Sequence, residues 1–213
     1  MSLVLAISNC NGIAISADRR VTQDPVDGKS ALLLTDNERK IFITKSGHAI
    51  ANVGSHVLKN IKSSSSSLIK DIIEQMSPDM SLSDELLTLK QAFLENTYDD
   101  AYIILIGAGI DNGQQVILSM NIKDEYSTAQ TNTFGYGAYF RGDDKELKEL
   151  LGLFPIDVNY YPMQESVEYI KFLNRTIAGL QKYSKHLQSI SEECDVLIID
   201  KYGTRWETPP KQL

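Results

Sequence analysis

The sequence predicts an α+β protein, a four-layer αββα sandwich built from two antiparallel sheets, with residues 1–213 forming one domain. Three observations carry this reading. Apolar runs come in pairs joined by short turns, which makes hairpins and hence antiparallel sheets. The runs are nearly continuous in apolar residues, so both faces of each strand need cover. Helical periodicity appears in two pairs separated by a hairpin, enough to lay two helices over each of two packed sheets.

The first hairpin joins Leu3-Val4-Leu5-Ala6-Ile7 to Ile13-Ala14-Ile15-Ser16-Ala17 through Asn11-Gly12, a pair that readily adopts positive φ. The second joins Ile41-Phe42-Ile43-Thr44 to His48-Ala49-Ile50-Ala51-Asn52-Val53 through Lys45-Ser46-Gly47, giving four strands before any helix. From His56 to Met76 the spacing is helical, with Leu58, Ile61, Leu68, Ile72 and Ile73 on one side. The Ser63 to Ser67 tract is read as an exposed face of that helix, because no Gly or Pro accompanies it. After Ser77-Pro78 a second helix begins at Ser83-Asp84-Glu85 and runs to Asn96.

A third hairpin pairs Ala101 to Ile106 with Gln115 to Met120 across Asp111-Asn112-Gly113. Helical patterns are then expected over Tyr139 to Leu151 and, past Pro155 and Pro162, over Val167, Ile170, Leu173, Ile177 and Leu180. Val196 to Ile199 is a late strand, with Arg205-Trp206-Glu207 as its partner.

The chain holds 28 acidic and 21 basic residues, a net charge of -7, which argues against a surface that tracks phosphates, so nucleic acid is excluded as a partner. Cys10 and Cys194 show neither a disulfide framework nor metal-ligand spacing. No run approaches the roughly 18 apolar residues of a membrane span, and no signal peptide is evident. A cytoplasmic protein with no membrane partner is the expectation.

Four stretches bear on function: "SLVLAISNCNGIAISADRRVT", "RKIFITKSGHAIANVGS", "AYIILIGAGIDNGQQVILSM" and "TFGYGAYFRG". In collinear order they resemble the β-type subunits of the proteasome and the related bacterial ATP-dependent ring peptidase, members of the N-terminal nucleophile hydrolases. The resemblance implies that fold, and it implies that a Thr or Ser becomes the mature N-terminus while an Asp and a Lys downstream complete the catalytic group. The matching positions are Ser2, Asp18 and Lys40, and Gly54 matches the glycine whose N–H serves as oxyanion donor.

The residue types suit the chemistry. A serine hydroxyl needs a base, and a free α-amine with an ordinary pKa of about 7.7–8.0 can accept its proton at working pH. Ser2 supplies both groups once Met1 is removed. A lysine ammonium near the hydroxyl keeps the amine neutral and stabilises an alkoxide, and a carboxylate orients that lysine. The implied activity is peptide or amide hydrolysis through an acyl-serine ester, with no metal or organic cofactor. The implied assembly is a homo-oligomeric ring enclosing the sites, served by an unfolding ATPase encoded elsewhere and acting on peptide or protein substrates.

The chain departs from the family in three places. Tyr136 stands between Gly135 and Gly137 where the family places a serine. Ser189 and Ser191 precede the late strand without an aspartate in register, and "DPVDGKSALLL" is an insertion beside the expected cleft. The first two favour an alternative, a catalytically silent subunit with a structural or regulatory role in assembly. Taken singly, Asp18 with Arg20 and Lys40 beside Arg39 would read as surface charges. A Ser-His-Asp hydrolase built on Ser55 with His48, His56 or His186 lacks the Gly-x-Ser-x-Gly elbow. "GAGIDNG" opens no helix and reads as a hairpin, and Arg141-Gly142-Asp143 is taken as a chance tripeptide.

Overall fold

The computed structural model describes residues 2–23, 32–55, 58–59, 64–124, 137–154, 157–184 and 188–207. Eleven strands and four helices lie among them: β1 (Leu3–Asn9), β2 (Gly12–Asp18), β3 (Val21–Gln23), β4 (Leu32–Thr35), β5 (Ile41–Ile43), β6 (Ala49–Gly54), α1 (Ser65–Gln75), α2 (Leu82–Asn96), β7 (Ile103–Asp111), β8 (Gln114–Asn121), β9 (Gly137–Gly142), α3 (Lys145–Leu153), α4 (Met163–Tyr183), β10 (Cys194–Asp200) and β11 (Gly203–Trp206). One sheet has the order β11-β10-β2-β1-β9 and another β5-β6-β7-β8, while β3 and β4 form a small separate pair. Every pairing is antiparallel.

Three apolar clusters explain why the strands are apolar on both faces. Val4, Ala6, Ile13, Ile15 and Ala17 of the larger sheet meet Ala49, Ala51, Val53, Ile106 and Ala108 of the smaller one. The many alanines there let the two sheets approach closely. On its other face the larger sheet packs Leu3, Leu5, Ile7 and Val196 against Leu147 of α3 and Val167, Ile170, Leu173 and Ile177 of α4. The smaller sheet packs Ile50, Ile103, Leu105 and Leu118 against Ile69 and Ile73 of α1 and Leu82, Leu86, Leu89 and Phe93 of α2. Gln115 also ties the sheets, accepting from Ser8 Oγ at 2.8 Å and donating to Asn9 O at 2.9 Å.

Several elements differ from expectation. Six strands precede the first helix rather than four, because Val21–Gln23 and Leu32–Thr35 pair with each other. The first hairpin turns at Cys10–Asn11, one residue earlier than expected. The serine tract is not an exposed face. Ser64 caps α1, its Oγ accepting from Ser67 N at 3.1 Å, and Ser65 and Ser66 are buried, Ser66 Oγ donating to Arg39 O at 2.7 Å. Short hydroxyl side chains satisfy the free N–H groups of a first turn, which is why serines collect there. The helix expected from His56 starts later: Leu58 and Lys59 are not helical and α1 begins at Ser65, while His56 and Ile61 lie outside the described residues. The second helix is capped by Ser81, not Ser83.

The helix expected over Tyr139 to Leu151 divides in two. Gly137–Gly142 is a strand paired with β1, and only Lys145–Leu153 is helical. The alternation is of period two: Tyr139 faces the other sheet while Ala138 and Phe140 face the helices. Six residues of strand are too few to separate the two periods by pattern alone.

Candidate active site

The sequence-predicted site residues stand at one end of both sheets. Ser2 leads into β1, Asp18 ends β2, Lys40 immediately precedes β5 and Gly54 ends β6. The β1–β2 register pairs Val4 with Ala17, so Asp18 lies beside Leu3. Its carboxylate turns inward and is 1 % exposed. Asp18 Oδ1 accepts from Leu3 N at 2.8 Å and from Lys40 Nζ at 3.0 Å, while Oδ2 accepts from Lys40 Nζ at 3.1 Å and from Arg20 N at 2.9 Å. One buried carboxylate thus holds both the peptide that follows Ser2 and the lysine ammonium.

Lys40 is 4 % exposed and bridges the two sheets, its backbone O accepting from Asn52 N at 3.3 Å and its Nζ reaching β2. Nζ also donates to Arg20 O. An ammonium carries three donors, and two carboxylate oxygens with one carbonyl account for them. Lys40 is therefore built to act on its surroundings as a fixed positive charge. Burial lowers its pKa from the ordinary lysine value, opposed by the charge of Asp18 and its hydrogen bond.

Ser2 is itself buried, at 7 % exposure, and its carbonyl accepts from Asp143 N at 2.9 Å. The Ser2–Leu3 peptide is thus held at both polar atoms, the oxygen by Asp143 and the N–H by Asp18. Gly142, paired with Leu3, lies against the same carbonyl: its φ is +113°, and an added Cβ would stand 1.8 Å from Ser2 O. Met1 lies outside the described residues.

Gly54 occupies the matching end of the other sheet, also with φ +113°. A Cβ there would meet Tyr102 O at 1.9 Å. Ser55 N donates to Tyr102 O at 2.7 Å, and successive amides of an antiparallel strand alternate sides, so the Gly54 N–H turns away from β7. It points to the side on which Asn52 N meets Lys40 O.

The two arginines after Asp18 brace this end of the sandwich. Arg19 contacts Asp195 with Nε at 2.9 Å and again with NH2, and Glu193 at 3.2 Å. Arg20 holds Asp36 through two contacts, 2.6 and 2.9 Å, and Gln188 O at 3.2 Å. The Arg20 contact pulls the Asp36 carboxyl below its ordinary pKa.

Sequence reasoning missed Asp143 and Gln181. Gln181 Nε2 donates to Asp143 Oδ2 at 3.0 Å, its Oε1 accepts from Ser189 N at 2.9 Å and Ile190 N at 3.2 Å, and Ser189 Oγ donates to Asp143. No signal in the sequence marked this cluster, since the pairing of Gly137–Gly142 with β1, which sets the next residue beside Ser2, is visible only in the fold. Ser191 Oγ instead accepts from Arg19 N at 2.9 Å and donates to Glu193 O at 2.6 Å.

Among the described residues, the alternative triad does not assemble around Ser55 and His48. Ser55 Oγ accepts from Tyr102 N at 3.1 Å, and His48, at the opposite end of β6, lies with Nδ1 2.9 Å from Glu85 Oε2 beneath α2. His56, His186 and Tyr136 lie outside the described residues. Among the described residues no group of three or more His, Cys, Asp or Glu side chains is placed to hold a metal, and no helix is long and apolar enough to cross a membrane.

Comparison with known proteins corrects the family reading. No family model matches the chain, and no curated protein matches it. The assignment to the proteasome β-type subunits and the bacterial ring peptidase is therefore not upheld, because the motifs that suggested it do not amount to a detectable sequence match. A solved structure does match: Anbu (ancestral beta-subunit) from Yersinia bercovieri, with a TM-score of 0.66, 13% identity, and coverage of 97% of this chain and 86% of that one. At that identity the likeness is one of fold, and this chain has the α+β, proteasome-like fold of Anbu.

Proposed function

We propose that the chain is an N-terminal nucleophile amide hydrolase in which Ser2 attacks the substrate carbonyl and its own α-amine takes the proton. The observation that carries this reading is the single buried carboxylate of Asp18, which joins Lys40 Nζ to the N–H next to Ser2. Lys40 supplies positive charge to the developing alkoxide, and Asp18 fixes it there. Gly54 N–H, turned toward the Lys40 side, receives the oxyanion. The acyl-Ser2 ester is then released by water activated at the amine. Layered as αββα in one domain, the chain serves as a subunit that closes with further copies into a ring. The name of its structural neighbour, an ancestral beta-subunit, supports that assembly. An ATP-dependent unfoldase delivering protein substrate in the cytoplasm completes the proposal.

The burial of Ser2 favours a second reading, a subunit kept for assembly whose site stays closed. Intact-protein mass spectrometry separates the two. Protein beginning at Ser2 and protein retaining Met1 are each treated with an electrophilic peptide inhibitor. The expected result is one adduct, on Ser2, in the trimmed form alone, because an amide nitrogen has no basic lone pair. Equal labelling of both forms overturns the mechanism. Labelling of neither supports the closed subunit.

A further inference from the structure

We infer that Asp143 is a positioning residue for Ser2, holding it through the main chain while Gln181 and Ser189 hold Asp143 in place. The inference rests on the proposed role of Ser2 and assigns a function to a cluster that role does not use.

The strand that ends at Gly142 bends there, and the bend lays Asp143 N–H on Ser2 O at 2.9 Å. The carboxylate of the same residue does not face away. Its Oδ2 takes a hydrogen bond from Gln181 Nε2 and another from Ser189 Oγ. Gln181 is 2 % exposed and Ser189 0 %. The carbonyl of the same Gln181 amide receives Ser189 N and Ile190 N, so one side chain of α4 locks the segment before β10 and the segment after β9 onto each other. A buried amide satisfied at both ends makes an exacting brace, since a small shift breaks several bonds together. What the brace holds is the carbonyl of Ser2, opposite the N–H that Asp18 holds.

The test is an NMR titration of the Ser2 α-amine in protein beginning at Ser2, as wild type and Gln181→Leu, which keeps the volume and removes the brace on Asp143. With the Ser2 carbonyl released, the amine is expected to leave the place the proposed mechanism gives it beside Lys40, and its midpoint is expected to move toward that of an unrestrained α-amine. An unchanged midpoint overturns the inference. Should Gln181→Leu fail to fold, Ser189→Ala, which removes one of the bonds to Asp143, is read by hydrogen exchange. The Asp143 amide is expected to lose about tenfold in protection, the worth of one net hydrogen bond, while strand amides elsewhere keep theirs. Unchanged protection of that amide overturns the inference. Neither measurement needs turnover, whereas failure of the catalytic reading shows separately as absence of the Ser2 adduct.

Discussion

Lys40 Nζ lies 3.0 and 3.1 Å from the two carboxylate oxygens of Asp18, both side chains buried between sheets that meet at this point. A pair of this kind contributes little net stability when intact, because desolvation offsets attraction, yet removing one partner leaves the other charge stranded.

Lys40→Ala and Asp18→Asn are therefore each expected to lower stability by about 3–5 kcal/mol in urea unfolding, the cost of breaking a buried pair. Ser2→Ala leaves the pair intact and is expected to unfold like wild type while losing amide hydrolysis by at least about 10²–10³, the scale of a lost transition-state interaction. Wild-type turnover by Ser2→Ala removes Ser2 from the mechanism.

The depressed pKa of Lys40 gives stability a definite pH dependence. Between its folded value and the ordinary lysine value of 10.5, the unfolded chain binds more protons than the native one, so stability rises with pH across that window. Below the window the penalty for burying the charged form is felt in full. Comparing wild type with Lys40→Met from neutral pH to the ordinary value isolates this contribution: the wild type gains on the variant as pH rises. A constant difference between them would show that Lys40 is not depressed.

Gly54→Ala and Gly142→Ala are expected to be the most damaging alanine substitutions at glycine. Each puts a Cβ within 2 Å of a backbone carbonyl oxygen, 1.9 Å from Tyr102 O and 1.8 Å from Ser2 O, at a φ that L residues rarely adopt. The left-handed conformation alone costs about 1–2 kcal/mol, and the clash adds to it. Gly47→Ala, in open space, serves as the control with the φ penalty only. Thermal melts order the three, and Gly142→Ala is expected in addition to abolish Ser2 labelling.

The two thiols should separate cleanly under alkylation at mildly basic pH. Cys10 is exposed in the first turn, whereas burial pushes the Cys194 thiol up to about 12. Peptide mapping after iodoacetamide should find carboxamidomethyl on Cys10 and none on Cys194 until the protein is unfolded, since only the thiolate reacts.

Where the sequence was legible, the cause was local. Apolar runs around Asn112-Gly113 and Lys45-Ser46-Gly47 announced their hairpins because turn chemistry and burial act on adjacent residues. The meeting of Asp18 with Lys40 was legible only through the family resemblance, since each charge taken singly reads as a surface residue. Asp143 was not, since its partners Gln181 and Ser189 lie 38 and 46 residues away and nothing in "RGDD" marks the contact. The serine tract misled because a capped, buried first turn and a polar exposed face use the same residue type. The family assignment did not hold, since short motifs alone carried it and neither a family model nor a curated protein matches the chain; what is shown is the fold shared with Anbu.

Strands β1 and β2 bury all seven of their residues. An ordinary hairpin encodes its alignment in the contrast between an oily face and a wet one, and here that contrast is erased. The alignment must be written at the ends: Leu3 N on Asp18 at one, and Asn9 Nδ2 on Tyr161 O and Ser166 Oγ, at 3.0 and 2.8 Å, at the other. A chain slipped by one position would stay oily on every side but would carry Asp18 away from Lys40. The residues of the candidate site thus also proofread the fold, and under the proposed mechanism a refolded sample reports its fraction of correctly aligned molecules through the share of it that labels at Ser2.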